Sequence, residues 1–224
     1  MTTPSFAEIL DTARSRHGAA ALEARLPQPK TPAELRAIPD DRYLSQMSLR
    51  IFRAGLKHNL VDAKWPAFEE VFHGFDTRRV RAMPDEALDA LLDDNRLIRH
   101  GGKIRAVRNN AATMLDIAAS HGAFGVWLAE WPVADIVGLW DELASRFSQM
   151  GGNSGPTFLR MVGKDSFILS PSVVAALKHW GVADTAPKNR RDRAAVQARF
   201  SAWAAETGRP LCQLSMILAC SVEE

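Results

Sequence analysis

The sequence has few cysteines and no long hydrophobic run. Only Cys212 and Cys220 are present among its 224 residues, and their spacing is not that of a metal site. This scarcity is typical of a protein kept in a reducing, intracellular compartment. No stretch is long and apolar enough to cross a membrane, and the first residues do not read as a signal peptide. We therefore expect a cytoplasmic protein without a membrane partner.

Patterns typical of β-strands are also missing. The chain has a single tyrosine and few β-branched runs, whereas alanine is abundant, and this composition favours helices. The charges nearly balance, since 28 lysines and arginines face 26 acidic residues and leave a net charge of +2. A mildly basic protein permits a nucleic-acid partner without requiring one. The composition therefore predicts an all-α globular protein.

Apolar residues recur at helical spacing through most of the chain. The predicted helices cover residues 1–16, 43–56, 103–120, 123–131, 140–150, 172–180, 190–207 and 210–219. A capping box at Thr31–Glu34 begins a further short helix. Asp40 or Asp41 is expected to cap the helix over residues 43–56. Residues 97–102 are predicted to form a loop.

A glycine-rich segment, MGGNSGP at residues 150–156, joins the predicted helix over residues 140–150 to a further helix that begins at Pro156. Gly151 and Gly152 end the first helix, and Pro156 suits the first turn of the second. Backbone N–H groups at such a turn can stay unpaired and bind phosphate. The candidate phosphate contacts are Gly152, Asn153, Ser154, Gly155, the hydroxyl of Thr157 and the charge of Lys164. The alternative is a plain helix–helix turn.

Two upstream segments, together with this hairpin, resemble a known family. They are Leu97–Ala111, which reads LIRHGGKIRAVRNNA, and Ala54–Asp76, which contains AGL and GFD. The pattern resembles the helix-hairpin-helix DNA glycosylases, and within them the 3-methyladenine DNA glycosylase I branch. The resemblance covers about residues 44–180. It implies one two-lobed all-α domain over residues 1–224, with a cleft between a lobe of about 44–130 and a hairpin lobe of about 131–224 plus 1–43.

The resemblance implies a DNA repair enzyme that hydrolyses the N-glycosidic bond of an alkylated base flipped from duplex DNA. The expected partner is duplex DNA with a damaged base, bound by a monomer that needs no cofactor. A methylated purine ring is already a good leaving group, so shape and a positioned water can suffice. Two alternatives stay open: a non-catalytic DNA-binding protein with the same hairpin, and a helical protein-interaction domain.

The base-contact positions that the resemblance implies are unusual in this chain. The family has a glutamate before the Ala-Gly-Leu element and a stacking aromatic after it, and these places fall on Arg50 and His58. An arginine repels a cationic base and suits a neutral base with exposed acceptors. Trp65 is the third candidate for the base pocket. The alternatives are a surface or ion-paired Arg50 and a core Trp65.

The catalytic position also differs. The wider superfamily places a catalytic aspartate at the N-cap of the helix after the hairpin unit, where this chain has Ser170, followed by Pro171. A serine can cap a helix but cannot stabilise an oxocarbenium ion as a carboxylate would. Asp165 is the second candidate, with a loop or capping carboxylate as the alternative. The family binds a structural zinc through cysteine and histidine from its two ends. This chain has no N-terminal cysteine, and Cys212 and Cys220 lack matching histidines, so we predict no metal.

Overall fold

The computed structural model describes residues 5–223, which form fourteen α-helices and no β-strand. The helices are α1 Phe6–His17, α2 Ala19–Arg25, α3 Pro32–Ala37, α4 Asp40–Arg53, α5 His58–Val71, α6 Thr77–Arg81, α7 Asp85–Ala90, α8 Gly101–His121, α9 Phe124–Glu130, α10 Ile136–Arg146, α11 Ser154–Val162, α12 Pro171–His179, α13 Arg190–Thr207 and α14 Leu211–Cys220. Short 3₁₀ turns lie at His73–Phe75 and Val133–Asp135. The all-α prediction is confirmed. The first four residues of the helix predicted over residues 1–16 lie outside the described part.

Helix α3 has a side-chain cap at its N-terminus, whereas helix α4 has none. The predicted capping box of α3 is present, because Thr31 Oγ1 accepts the Glu34 N–H at 3.2 Å and Glu34 accepts the Thr31 N–H at 2.8 Å. The prediction that Asp40 or Asp41 caps the next helix is wrong. Helix α4 begins at Asp40 itself, without a side-chain cap. The Asp40 carboxylate instead accepts the N–H of Phe124 at 3.0 Å.

Two other helix ends differ from the sequence pattern. Helix α8 begins at Gly101 within the predicted loop, because His100 Nδ1 accepts the Lys103 N–H at 3.3 Å and acts as the cap. Helix α10 ends at Arg146 instead of residue 150. The backbone leaves the helical region before the glycines, since Gln149 has a φ of 65°. The turn between α10 and α11 is therefore longer than its glycines alone indicate.

The described residues fall into two compact units. The hairpin unit contains residues 31–131 and 140–162, and the terminal unit contains residues 5–30, 132–139 and 163–223. The sequence-based division placed the hairpin with the terminal segments. In the structure the hairpin belongs with residues 31–131, because α11 packs on α4 and the buried Asn110 of α8 binds Ser148.

Helix α4 organises the hairpin unit by packing against α5, α8, α9 and α11. Nearly all of its residues between 43 and 53 are buried, including the fully buried Phe52, whose ring lies 4.5 Å from that of Phe68. The half-buried exceptions are Gln46, Arg50 and Arg53. Their spacing of i, i+4 and i+7 places them on one polar stripe of the helix.

Helix α14 organises the terminal unit by packing against α1, α12 and α13. Beside it, Phe167 stacks on Phe200 with ring centroids 4.5 Å apart, and Trp203 lies 5.2 Å from Phe6. Burying these large rings supplies the apolar core of the unit. None of the helices within residues 5–223 is long and apolar enough to cross a membrane.

Candidate functional site

The predicted hairpin is a tight turn between α10 and α11. Two hydrogen bonds close it, from the Ser154 N–H to the Gly151 carbonyl and from the Gly155 N–H to the Met150 carbonyl, both at 3.1 Å. The turn reverses through left-handed backbone at Gln149, with a φ of 65°, and at Gly152, with a φ of 59°. Glycine adopts this conformation without the cost that other residues pay.

The tip of the hairpin offers backbone donors to solvent. Gly151, Gly152 and Asn153 are exposed, whereas Ser154 and Gly155 are buried. Within residues 5–223 the N–H groups of Gly151 and Gly152 have no hydrogen-bond acceptor. Free N–H groups immediately before the N-terminus of a helix are suited to an anion. The exposed tip can therefore contact a phosphate, whereas Ser154 and Gly155 shape the turn.

The three glycines of the hairpin have different structural requirements. A Cβ on Gly155 would lie 3.2 Å from the Met150 carbonyl oxygen, a tight contact that an alanine could make only if this backbone moved slightly. A Cβ on Gly152 would meet no atom within 4 Å, and only its positive φ favours glycine. A Cβ on Gly151 would also meet nothing, and its φ is not positive. Gly151 is thus a natural control position for Gly152.

A buried asparagine that the sequence interpretation did not single out holds the hairpin in place. Asn110 is fully buried, its Oδ1 accepts the Ser148 N–H at 2.8 Å, and its Nδ2 donates to the Ser148 carbonyl at 3.2 Å. Thr113 on the same helix donates its hydroxyl to the Arg146 carbonyl at 3.3 Å. Asn110 lies within the Leu97–Ala111 segment, and the resemblance of that segment to the glycosylases is the one feature of the sequence that could have pointed to this residue.

The two remaining candidate phosphate contacts are less accessible. Thr157 is half-buried in the first turn of α11, where its N–H donates to the Asn153 carbonyl at 3.1 Å. Lys164 belongs to the terminal unit and is only 4% exposed, and burial lowers the pKa of its ammonium group. A buried ammonium does not present its charge to a phosphate at the surface. The geometry therefore gives no support to the Lys164 prediction.

Arg50 lies on the polar stripe of α4 without a counter-ion. Its Nε is buried and unpaired, and within residues 5–223 its guanidinium takes part in no ion pair. Burial lowers the pKa of Arg50, and the nearby charge of Arg53 adds to the effect. Arg53 itself binds Asp62 with two hydrogen bonds of 2.8 Å. The structure thus rules out the internal ion pair proposed as an alternative for Arg50.

Lys103, which the sequence interpretation did not select, lies beside this end of α4. Its Nζ donates to the Ala54 carbonyl at 2.7 Å and to the Phe52 carbonyl at 3.4 Å. The side chain is 9% exposed, and its pKa is lowered by burial first and by the charge of Arg50 second. A cation at a helix C-terminus interacts favourably with the helix dipole. The positive charges of Lys103 and Arg50 are thus neighbours at this end of α4.

The other two base-pocket candidates have different surroundings. His58 is exposed at the first position of α5. Trp65 is half-buried, and its ring stacks on Phe68 and Phe75 at centroid distances of 5.0 and 5.5 Å. Its Nε1–H donates to Ser45 Oγ at 3.2 Å. These contacts favour the alternative that Trp65 is a core residue.

Both candidate catalytic residues have their oxygens engaged at helix N-termini. Ser170 is the predicted N-cap of α12, and its Oγ accepts the Val173 N–H at 3.2 Å. The carboxylate of Asp165 accepts the Leu211 N–H at 3.0 Å and the Cys212 N–H at 2.8 Å, at the start of α14. The capping alternative for Asp165 is therefore what the structure contains. Whether either residue also acts in catalysis stays a prediction.

No metal site is visible in the part of the chain that the structure describes. Among residues 5–223, no three histidine, cysteine or acidic side chains are grouped closely enough to hold an ion. Cys212 and Cys220 are both buried. The expected absence of zinc stays a prediction that only a measurement on the protein can test.

Comparisons with known proteins bear on the family and the fold of the chain. Residues 36–145, just under half of the chain, match the model of the methyladenine glycosylase family. Over 72 residues the chain is 38% identical to DNA-3-methyladenine glycosylase 1 of Escherichia coli (strain K12). The matched residues make up 32% of this chain and 38% of that relative, so the chain spans well under two thirds of the relative's length.

Two solved structures share the fold. A mutant of 3-methyladenine DNA glycosylase I from Staphylococcus aureus matches with a TM-score of 0.53 and 19% identity, over 65% of this chain and 86% of that one. The 8-oxoguanine glycosylase/lyase of Methanocaldococcus jannaschii, solved with DNA, matches with a TM-score of 0.54 and 14% identity, over 95% and 94%. At such identities the likeness shows the fold alone. Together with the family match, it shows that the chain is a relative of the methyladenine glycosylases with the all-helical fold of DNA glycosylases.

Proposed function

We propose that this protein is a DNA glycosylase, which hydrolyses the N-glycosidic bond of an alkylated base flipped out of duplex DNA. The observation that carries the proposal is the exposed tip of the hairpin, where the N–H groups of Gly151 and Gly152 have no acceptor among the described residues. A phosphate oxygen is the natural acceptor for such donors. The match of residues 36–145 to methyladenine glycosylases supports a damaged base as the target.

The proposed hold on DNA uses the backbone N–H groups of Gly151 and Gly152. Contacts of this kind position the duplex without reading its sequence. Because Asn110 fixes Ser148 through both its N–H and its carbonyl, the tip is held in a defined orientation before DNA binds. Binding should therefore be independent of sequence and should weaken steeply as salt rises.

The proposed base contact, Arg50, belongs to the same unit as the hairpin. Lys103, which lies near Arg50, and Asn110, which anchors the hairpin, are seven residues apart on α8 and therefore share one face of that helix. Seven residues correspond to about 10 Å along a helix axis. One chain thus supplies both the phosphate contact and the base contact, which supports a monomer acting on duplex DNA.

The proposed chemistry depends on orientation more than on acid–base groups. Flipping places the target base in a pocket, where contacts to its edge and a positioned water favour cleavage. The oxygens of Asp165 and Ser170 already accept backbone hydrogen bonds. We therefore assign neither residue a direct role in bond cleavage.

The test is release of free base from alkylated duplex DNA by the purified protein. We expect release from alkylated DNA and none from the same duplex without damage. The matched control is the Gly151→Ala variant. It keeps the backbone N–H that the proposal uses and adds a methyl group that meets no atom of the protein, so it should release base at the parental rate. Binding without release would identify a non-catalytic DNA-binding protein, and neither binding nor release would contradict the proposed function altogether.

A further inference from the structure

Arg50 and Lys103 form a cationic site that lacks a counter-ion. Within residues 5–223 no carboxylate lies at ion-pair distance from either side chain. The nearby carboxylate of Asp62 is already bound to Arg53. Lys103 is held by the carbonyl oxygens of Ala54 and Phe52, which are neutral acceptors. The site therefore carries net positive charge close to the end of α4.

This arrangement is unfavourable in the free protein. A buried guanidinium nitrogen without an acceptor, as at Arg50 Nε, has lost water without gaining a partner. Two neighbouring like charges add a Coulomb penalty. An acceptor-rich or anionic group against the rest of the half-buried Arg50 side chain would relieve the repulsion between the two cations. In a DNA glycosylase that group is either the flipped base or a backbone phosphate.

We propose that Arg50, with Lys103 behind it, selects a neutral alkylated base over a cationic one and stabilises the negative charge that the neutral base gains as it leaves. This inference rests on the proposed function. Arg50 would touch the base. Lys103 would act as a positioning residue, because its Nζ is fixed to the end of α4 and its charge contributes to the field at Arg50.

The bond-breaking step explains why a cation suits a neutral base. The C1′–N bond breaks, and its electron pair goes to the base nitrogen. The oxygen of water then bonds to C1′. The proton that water loses ends on the departed base when that base left as an anion, and goes to solvent when the base was cationic and left neutral. A neutral base leaves as an anion, which a cationic site stabilises, whereas a cationic base leaves neutral and is repelled before cleavage.

The experiment compares two otherwise identical duplexes that carry one methyl group on the same base. One contains 7-methylguanine, which is cationic, and the other contains O6-methylguanine, which is neutral. Dissociation constants and rates of base release are measured for the parent, Arg50→Glu, Arg50→Gln and Lys103→Gln. The matched control is Arg81→Gln, because Arg81 is an exposed arginine on α6 with no ion pair among residues 5–223.

We expect the parent to favour the neutral lesion. Reversing the charge with Arg50→Glu should shift the neutral-to-cationic ratio by about tenfold or more toward the cationic base. Arg50→Gln should produce a smaller shift. Lys103→Gln keeps a hydrogen-bond donor for the end of α4 and should also produce a smaller shift in the same direction. Arg81→Gln should leave the ratio unchanged even if overall DNA affinity falls.

Several results would overturn the inference. If Arg50→Glu and Arg50→Gln fold as judged by thermal unfolding and the ratio does not move, Arg50 does not contact the base. If both duplexes weaken equally, Arg50 contacts a phosphate. A parent that prefers 7-methylguanine contradicts the inference but leaves the proposed function intact. If the parent releases neither base, the proposed function is wrong for these lesions, and the ratio of dissociation constants still decides the inference.

Discussion

The hairpin unit and the terminal unit differ in how they use their predicted site groups. In the hairpin unit, the N–H of Gly152 and the Nε of Arg50 have no partner within residues 5–223. In the terminal unit, the oxygens of Asp165 and Ser170 accept the N–H groups at the starts of α14 and α12. The N–H of the exposed Gly152 is available to a ligand, whereas the paired oxygens of Asp165 and Ser170 stabilise the fold. This difference supports the proposal that the hairpin unit recognises DNA.

The largest expected effect comes from Asn110, which joins the hairpin to α8. The Asn110→Ala variant leaves the N–H and carbonyl of the half-buried Ser148 without their partners, so the free energy of unfolding should fall by about 2 kcal/mol. Because the hairpin tip loses its anchor, affinity for duplex DNA of any sequence should also fall. Urea unfolding and fluorescence anisotropy measure the two effects.

The neighbouring Asn109 supplies the control for that variant. Asn109 is exposed, and its side chain lies 3.5 Å from the Ser148 hydroxyl, at the limit of a hydrogen bond. Asn109→Ala should therefore change both stability and DNA affinity much less. Equal losses in the two variants would mean that the anchoring role assigned to Asn110 is wrong.

A second expected effect tests the terminal unit. Asp165→Ala removes the acceptor for two N–H groups of α14 and should lower the free energy of unfolding by about 1–2 kcal/mol. Base release by the folded variant should be retained, as measured well below its unfolding temperature. Asp165→Asn keeps one acceptor oxygen and should lose less stability. Loss of release at unchanged stability would transfer the chemistry to the terminal unit.

A third and smaller effect separates two adjacent glycines. Gly152→Ala forces an alanine into left-handed backbone, at a cost of about 1 kcal/mol, and should weaken DNA binding several-fold. Gly151→Ala meets no atom and needs no positive φ, so it should bind as the parent does. Titration of both variants with one duplex distinguishes them. Parental affinity in both would show that the hairpin is a structural turn only.

The smallest expected effect is that of a metal chelator. If the protein holds no zinc, a chelator should leave the thermal unfolding temperature unchanged. Elemental analysis of the purified protein should accordingly find no stoichiometric metal. One tightly bound zinc per chain would contradict the prediction.

Local sequence pattern was sufficient for much of the fold. Helix α13 was predicted over residues 190–207 and is found at Arg190–Thr207, because Asn189 caps its start and Gly208 ends it. The capping box of α3 and the cap of α12 at Ser170 were likewise predictable. All of these signals involve residues within a few positions of each other, so they are visible without any knowledge of tertiary contacts.

The parts of the site that were not predicted depend on distant residues. Asn110 binds Ser148, which is 38 positions away, and Lys103 binds Ala54, which is 49 positions away. No periodicity or spacing reports such pairs. Lys164 was predicted to contact phosphate through its charge, yet tertiary packing buries its side chain. Burial and partners of polar groups therefore had to come from the structure.

The most direct test of the account compares base release by two folded variants on the neutral and cationic lesions. One variant combines Asp165→Asn with Ser170→Ala in the terminal unit, and the other is Arg50→Glu in the hairpin unit. The account predicts that the double variant releases base with the parental lesion ratio, whereas Arg50→Glu shifts that ratio toward the cationic base. Loss of all release in the double variant, together with a parental ratio in Arg50→Glu, would contradict the account.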